Sequence, residues 1–161
     1  MNIHHDLPGF NATISSLDDF GSSIPSDGPV IIIAASFEGE PADNAINFVH
    51  ALTAMTEREA LSGTKFAVFG CGHRDWSTTY QRVPTLIDEK FEALGATRLL
   101  ERGDADAGGE DFLEAFDVWE MKLWPVLATV SLRTTHTSAS LTIFRFRHTT
   151  YPPRLTTHVL G

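Results

Sequence analysis

Apolar residues run without interruption through "VIIIAA", residues 30–35, and then stop. The first four are β-branched, and no polar residue alternates with them. That pattern predicts a strand buried on both faces, as in a parallel sheet. "EPADNAINFVHALTAM" follows. Pro41 suits a first helical turn, and Ala45, Phe48, Val49 and Leu52 fall at helical spacing, so a helix is expected over 42–54. After "SGTK", the run "FAVFGCG", residues 66–72, is a second short apolar strand with a glycine-rich end. "VPTLIDEKFEALG" predicts an amphipathic helix over 83–94, with Val83, Leu86, Ile87, Phe91 and Leu94 on one side and Gly95 at its stop. "ATRLLERGD" offers a third, shorter strand at 97–100. A final helix is expected over 110–124. Acids crowd its start, where the helix dipole favours them, and Phe112, Phe116, Trp119 and Leu123 keep an apolar stripe.

Strands alternating with helices imply a three-layer α/β/α fold around a parallel sheet. In such sheets ligands bind beyond the carboxyl ends of the strands. "SFEGE" and "CGHRDW" both leave those ends, so they can meet over one edge of the sheet. Each loop brings glycines, which let backbone N–H groups approach a ligand closely. Each also brings one large ring, Phe37 and Trp76. Two rings at neighbouring strand ends could sandwich a flat conjugated ligand. Main chain around Gly39 and Gly72 could then meet its polar edge. A flavin ring fits that description; so does a pair of core aromatics capping the sheet.

Composition narrows the classes. The 161 residues are 42% hydrophobic and 20% charged, ordinary for one soluble globular domain. No apolar run approaches the roughly 20 residues of a membrane helix. The first ten residues lack the basic flank and apolar core of a secretory signal. A single cysteine, Cys71, excludes an internal disulfide and fits a reducing compartment, so a cytoplasmic location is expected. The net charge of −9 is unevenly spread. All 21 acidic residues precede position 125, and the last 37 residues hold four arginines and no acid or lysine. An acidic body argues against nucleic-acid binding and leaves room for a basic partner protein. Cys71 and His73 form C-x-H, too few ligands for a structural zinc site. No triad spacing accompanies Cys71, so no catalytic nucleophile and no metal centre are expected.

The strings "AASFEGEPADNAINFV" and "FAVFGCGHRDWSTTYQRVPTLIDEKFEALGATRLLERGDADAGGEDFLEAFDVWE" closely resemble the FMN-binding, flavodoxin-like domain of diflavin reductases. The match is greatest with the self-sufficient fused type, in which a cytochrome P-450 haem domain precedes the reductase on one chain. It covers roughly residues 8–124. By this resemblance Ser36, Phe37, Glu38 and Gly39 form the first flavin loop, with Phe37 where the family usually has a stacking tyrosine. Cys71, Gly72 and His73 match the second loop, and Trp76 its stacking aromatic. Thr79 and Gln81 match a stretch that closes over that loop. Asp104 and Asp106 match an acidic turn near the flavin and the docking surface. The resemblance implies FMN as cofactor. It also implies partners: an FAD/NADPH reductase module that supplies electrons and a haem protein that receives them.

The pattern departs from that family at both ends. Such domains begin with a strand and a Ser/Thr/Gly-rich loop that cradles the FMN phosphate. The 29 residues before Val30 contain no such cluster, and "PGFNATISSLDDF" resembles the family's second strand. The first strand, phosphate loop and first helix are therefore expected to be missing, and FMN binding to be weak or absent. A truncated fragment, or an acidic docking domain without redox activity, is the alternative. Residues 1–124 are expected to form the partial FMN domain and 125–161 a divergent tail. In the strand order 2-1-3-4-5 the missing strand lies inside the sheet. The strand at 30–35 is then expected to have a compromised outer edge. "TISSL", residues 13–17, is the first candidate to fill it, and "SLTIF", residues 140–144, the second.

Overall fold

A strand from the far end of the chain lies in the middle of the sheet. The computed structural model describes residues 6–7, 10–20, 23–132 and 139–145. In chain order the elements are β1 (Asp6–Leu7), β2 (Phe10–Ser15), α1 (Leu17–Phe20), β3 (Pro29–Phe37), β4 (Glu40–Pro41) and α2 (Ile46–Ala54). Then come β5 (Lys65–Gly72), a 3₁₀ turn (Arg74–Trp76), α3 (Arg82–Ala93), β6 (Thr97–Arg98), β7 (Gly103–Asp106), α4 (Phe112–Leu132) and β8 (Ala139–Arg145). The sheet runs β1-β2-β8-β3-β5-β6, with β7 beside the far half of β5 and β4 folded back on β3. β8 is parallel to both neighbours. It pairs with β2 from Phe10↔Ala139 to Ser15↔Phe144, and with β3 from Val30↔Thr142 to Ile33↔Arg145.

The expected open edge on β3 is therefore not there. β2, which contains most of "TISSL", stays one place further out, and "SLTIF" fills the gap. β2 and β3 both run parallel to β8, and α4 returns the chain to the end of the sheet from which a third parallel strand can enter between them.

Handedness explains the layers. Parallel crossovers are almost always right-handed. The connections β2–α1–β3, β3–α2–β5 and β5–α3–β6 all step one way across the sheet, so their helices share one face. The connection β7–α4–β8 steps back the other way, so α4 lies on the opposite face. Packing agrees. Leu17, Phe48, Leu52, Ile87 and Phe91 join Val30, Ile32, Phe66 and Val68 in one core. Trp119, Leu123 and Leu127 join Ile31, Ala67, Phe69, Ala12 and Leu141 in the other.

Local departures from expectation have local causes. Pro41 pairs with Ser36 in a hairpin instead of opening a helix, and α2 begins at Ile46. α2 has no side-chain cap of its own. Asp18 caps it from α1, accepting the N–H of Phe48 at 2.8 Å and of Asn47 at 3.3 Å. Of the strand expected at 97–100 only residues 97–98 form one, β6, pairing with Lys65 and Phe66; a separate strand beyond that range, β7, pairs with Phe69 to Gly72. α4 runs past Trp124 and through Pro125 to Leu132. Pro125 lacks the N–H that Met121 would receive, but Met121 is exposed, so water can serve its carbonyl.

Candidate functional site

Three loops leave the carboxyl ends of β3, β5 and β7 and meet over one end of the sheet. The first is a two-residue hairpin turn. Glu38 and Gly39 both have positive φ, 51° and 94°, between paired Phe37 and Glu40. Positive φ at both positions matches the twist of the flanking strands. A Cβ on Gly39 would stand 2.8 Å from Thr79 Cγ2, so the turn seats directly on Thr79. Ser36 Oγ donates to the Thr79 carbonyl at 3.2 Å. Thr79 thus locks the first loop to the second.

The second loop holds its shape through bonds from main-chain N–H groups to His73, one to its ring and one to its carbonyl. Asp75 N–H donates to His73 Nδ1 at 3.3 Å, and Trp76 N–H to the His73 carbonyl at 3.1 Å. The His73 and Trp76 rings lie 5.4 Å apart. Phe37 and Trp76 are 41% and 40% exposed, so neither is consumed in the core. That separates them from Phe66, Phe69 and Phe91, which are fully buried.

Cys71 and Gln81 face inward. Burial pushes the Cys71 thiol up to about 12, so it stays protonated and has no nucleophilic character at neutral pH. Gln81 is buried, with φ of 58°. Its Nε2 donates to the carbonyls of Gly70 and Ala105, both at 3.2 Å, across β5 and β7. Arg102 Nη1 donates to its Oε1 at 3.4 Å. Gln81 is a tie beneath the loops rather than a surface above them. Replacing it by leucine keeps the volume and strands two carbonyls. We expect Gln81→Leu to lower unfolding free energy by about 2 kcal/mol, read from urea denaturation.

β7 supplies the acids, ahead of the third loop. Asp104 is exposed, and its Oδ2 accepts the Tyr80 hydroxyl at 3.1 Å. Burial pushes the Tyr80 phenol up, with Asp104 adding to the rise. The Arg74 guanidinium lies 4.8 Å over the Tyr80 ring. Asp106 accepts the N–H groups of Gly108 and Arg74, which hold its carboxyl below the usual carboxylate range. Tyr80 stands inside the motif F-G-C-G-x-x-x-W-x-T-T-Y-Q but was given no role from the sequence, and Arg74 falls on one of its variable positions; their roles depend on the side chains that folding brings beside them. Among the described residues no group of three His, Cys, Asp or Glu side chains could hold a metal ion.

A family model described as Flavodoxin matches residues 2–119. The chain belongs to the flavodoxin family. Its parallel sheet with helices on both faces is the flavodoxin-like α/β fold. A cysteine-to-serine variant of the flavodoxin from Pseudomonas aeruginosa superposes with a TM-score of 0.54 at 21% identity, over 71% of this chain and 75% of that one. Curated relatives carry the likeness further. A self-sufficient cytochrome P450 monooxygenase of Phanerodontia chrysosporium is 56% identical over 119 residues, 74% of this chain and 11% of the relative. A bifunctional cytochrome P450/NADPH–P450 reductase of Bacillus subtilis is 45% identical over 116 residues, 72% of this chain and 11% of the relative. The flavodoxin-like chain therefore spans about a tenth of the length of these relatives. It is homologous to the FMN portion of P450–reductase fusions. Among the described residues, no helix is long and apolar enough to cross a membrane.

Proposed function

We propose that this chain is an FMN-binding electron-transfer module of the NADPH–haemoprotein reductase kind. It would take electrons from an FAD/NADPH reductase module and pass them to a haem protein. The supporting observation is the pair of half-exposed rings, Phe37 and Trp76, carried by adjacent loops at the carboxyl end of a flavodoxin-like sheet. These loops suit the ring portion of a flavin: two half-exposed aromatic rings, with main chain of Gly39, Gly72 and His73 in the same loops. They do not extend to its phosphate. The Ser/Thr and Gly segments that precede α3 and α4, residues 77–79 and 108–109, are engaged in holding these loops together. The ring half of the site thus fits the cofactor, and binding is expected to be weak.

FMN, when bound, supplies the redox chemistry; the protein binds, orients and tunes it. Phe37 and Trp76 exclude water from the ring faces. The loop main chain meets the polar edge. Asp104 and the other exposed acids offer a basic partner a docking surface and steer its approach.

Titration of the purified chain with FMN, followed by flavin fluorescence, tests the reading. Saturable quenching is expected, and its absence at millimolar protein overturns the proposal. Trp76→Ala should weaken binding by roughly 1–3 kcal/mol and Phe37→Ala by less, on the scale of aromatic stacking against nucleobases. Equal, negligible effects would place the flavin elsewhere.

A further inference from the structure

We propose that Asp106 is a positioning residue. Its carboxylate fastens the loop that carries Trp76 to the loop that follows β7, and so sets where the Trp76 ring stands against a bound flavin. This rests on the flavin reading above and deepens it.

The geometry is that of a clasp. Asp106 Oδ1 accepts the N–H of Arg74 at 3.1 Å and the N–H of Gly108 at 3.0 Å. Asp106 Oδ2 lies 3.6 Å from Arg74 Nε. One side chain therefore holds the main chain of both loops. Arg74 opens the 3₁₀ turn that ends at Trp76, so fixing its N–H fixes the start of that turn. Two further contacts run alongside. Ala107 N–H donates to the Gly72 carbonyl at 2.7 Å. A Cβ on Gly108 would stand 2.7 Å from Cε1 and Nε2 of His73, so the imidazole rests against bare main chain there. His73 in turn neighbours Trp76. The path from carboxylate to ring is thus short and continuous: Asp106, Arg74 and His73, Trp76.

The two acids of "GDAD" consequently differ. Asp104 is exposed and meets a hydroxyl at one oxygen, leaving it open to a partner. Asp106 is half-buried, with both oxygens committed within the loops. Resemblance assigned both to docking. The hydrogen bonds divide that role, with Asp106 acting on the cofactor side.

The test is a double-mutant cycle on the full chain, read by FMN titration. Asp106→Ala should raise the FMN dissociation constant about tenfold, the scale of one charge-assisted hydrogen bond. It should also restore part of the fluorescence of the bound flavin, because the quenching ring no longer stacks. Asp106→Asn keeps an oxygen that can accept both N–H groups and should cost about threefold or less. In the Trp76→Ala background, Asp106→Ala should cost no more than about twofold, since a residue acting through Trp76 is not additive with it. Additive effects, or an unchanged affinity in Asp106→Ala, overturn the inference while leaving the flavin reading standing. Failure of the unaltered chain to bind FMN overturns both. If Asp106→Ala does not fold by circular dichroism, Asp106→Ser, whose shorter side chain cannot bond the N–H groups of both Arg74 and Gly108, carries the same cycle. Its fluorescence and coupling to Trp76→Ala then decide between positioning and simple support.

Discussion

Replacing Leu141 by aspartate is expected to leave no folded protein at 25 °C. Leu141 is 1% exposed and sits in β8, between β2 and β3. Its side chain belongs to the core beneath α4, with Ala12, Ile31 and Leu127. Losing a buried leucine costs about 2–5 kcal/mol. Burying an unpaired carboxylate adds several more. The whole stability of a domain this size is about 5–15 kcal/mol. Strand release makes matters worse. Val30 to Ile33 and the facing side of β2 would lose their hydrogen-bond partners together, and open edges of this kind aggregate. Leu113→Asp is the control. Leu113 is 63% exposed on α4, and its substitution should shift stability by no more than about 0.5 kcal/mol. Thermal melts and the soluble fraction of each variant give the comparison. An unaltered melt for Leu141→Asp would remove β8 from the sheet interior.

FMN and riboflavin should bind this chain with affinities within about tenfold of each other. The two ligands differ by one phosphate. In flavodoxin-like sheets the flavin sits where the strand order reverses, beside the central strand. β8 occupies that central place, and its last described residue, Arg145, pairs with Ile33, short of the Glu38–Gly39 turn. Among the described residues nothing of cradle composition stands there. A phosphate held by several backbone N–H groups gains about 1.5–3 kcal/mol from each charge-assisted bond. Three such bonds would favour FMN by a thousandfold or more, at about 1.4 kcal/mol per tenfold. Parallel titrations with the two ligands read the ratio directly. A thousandfold preference for FMN would mean that an anion site exists, and the segment after Arg145 would be the place to seek it by substitution.

How much of this was legible in the residues differs from element to element. β3 and β5 were plain because strands covered on both faces are written as unbroken apolar runs. α3 was plain because its apolar positions recur at helical spacing and Gly95 stops it. Phe37 and Trp76 could be singled out because each follows the end of such a run. β8 was harder. "ASLTIFR" carries serine and threonine, which disguise a central strand, and periodicity says nothing about which neighbours a strand will choose. The gap beside residues 30–35 was foreseen with "SLTIF" as its second candidate, but the choice over "TISSL" depends on how the sheet assembles. The length of α4 was hidden by Pro125, a residue that ordinarily ends a helix and here faces solvent, where its missing bond is cheap. Gln81 was read by resemblance as part of a stretch that closes over the second loop. Its left-handed backbone and inward amide are set by tertiary contacts that leave no trace in the pattern. The clasp at Asp106 was invisible for the same reason: an acid in a polar turn looks alike whether it is solvated or bound.

The central place of β8 also bears on how the molecule is made. Phe10 to Ser15 pair with Ala139 to Phe144, so contacts near the start of the chain await residues near its end. Such high contact order slows folding. A ribosome adding about 5–20 residues each second would extend the chain for many seconds with β3 exposed on one side. During that interval Val30 to Ile33 form a sticky apolar strand without its partner. The nascent chain should accordingly depend on chaperones that shield extended apolar segments, and a slower ribosome should lower its soluble yield rather than raise it.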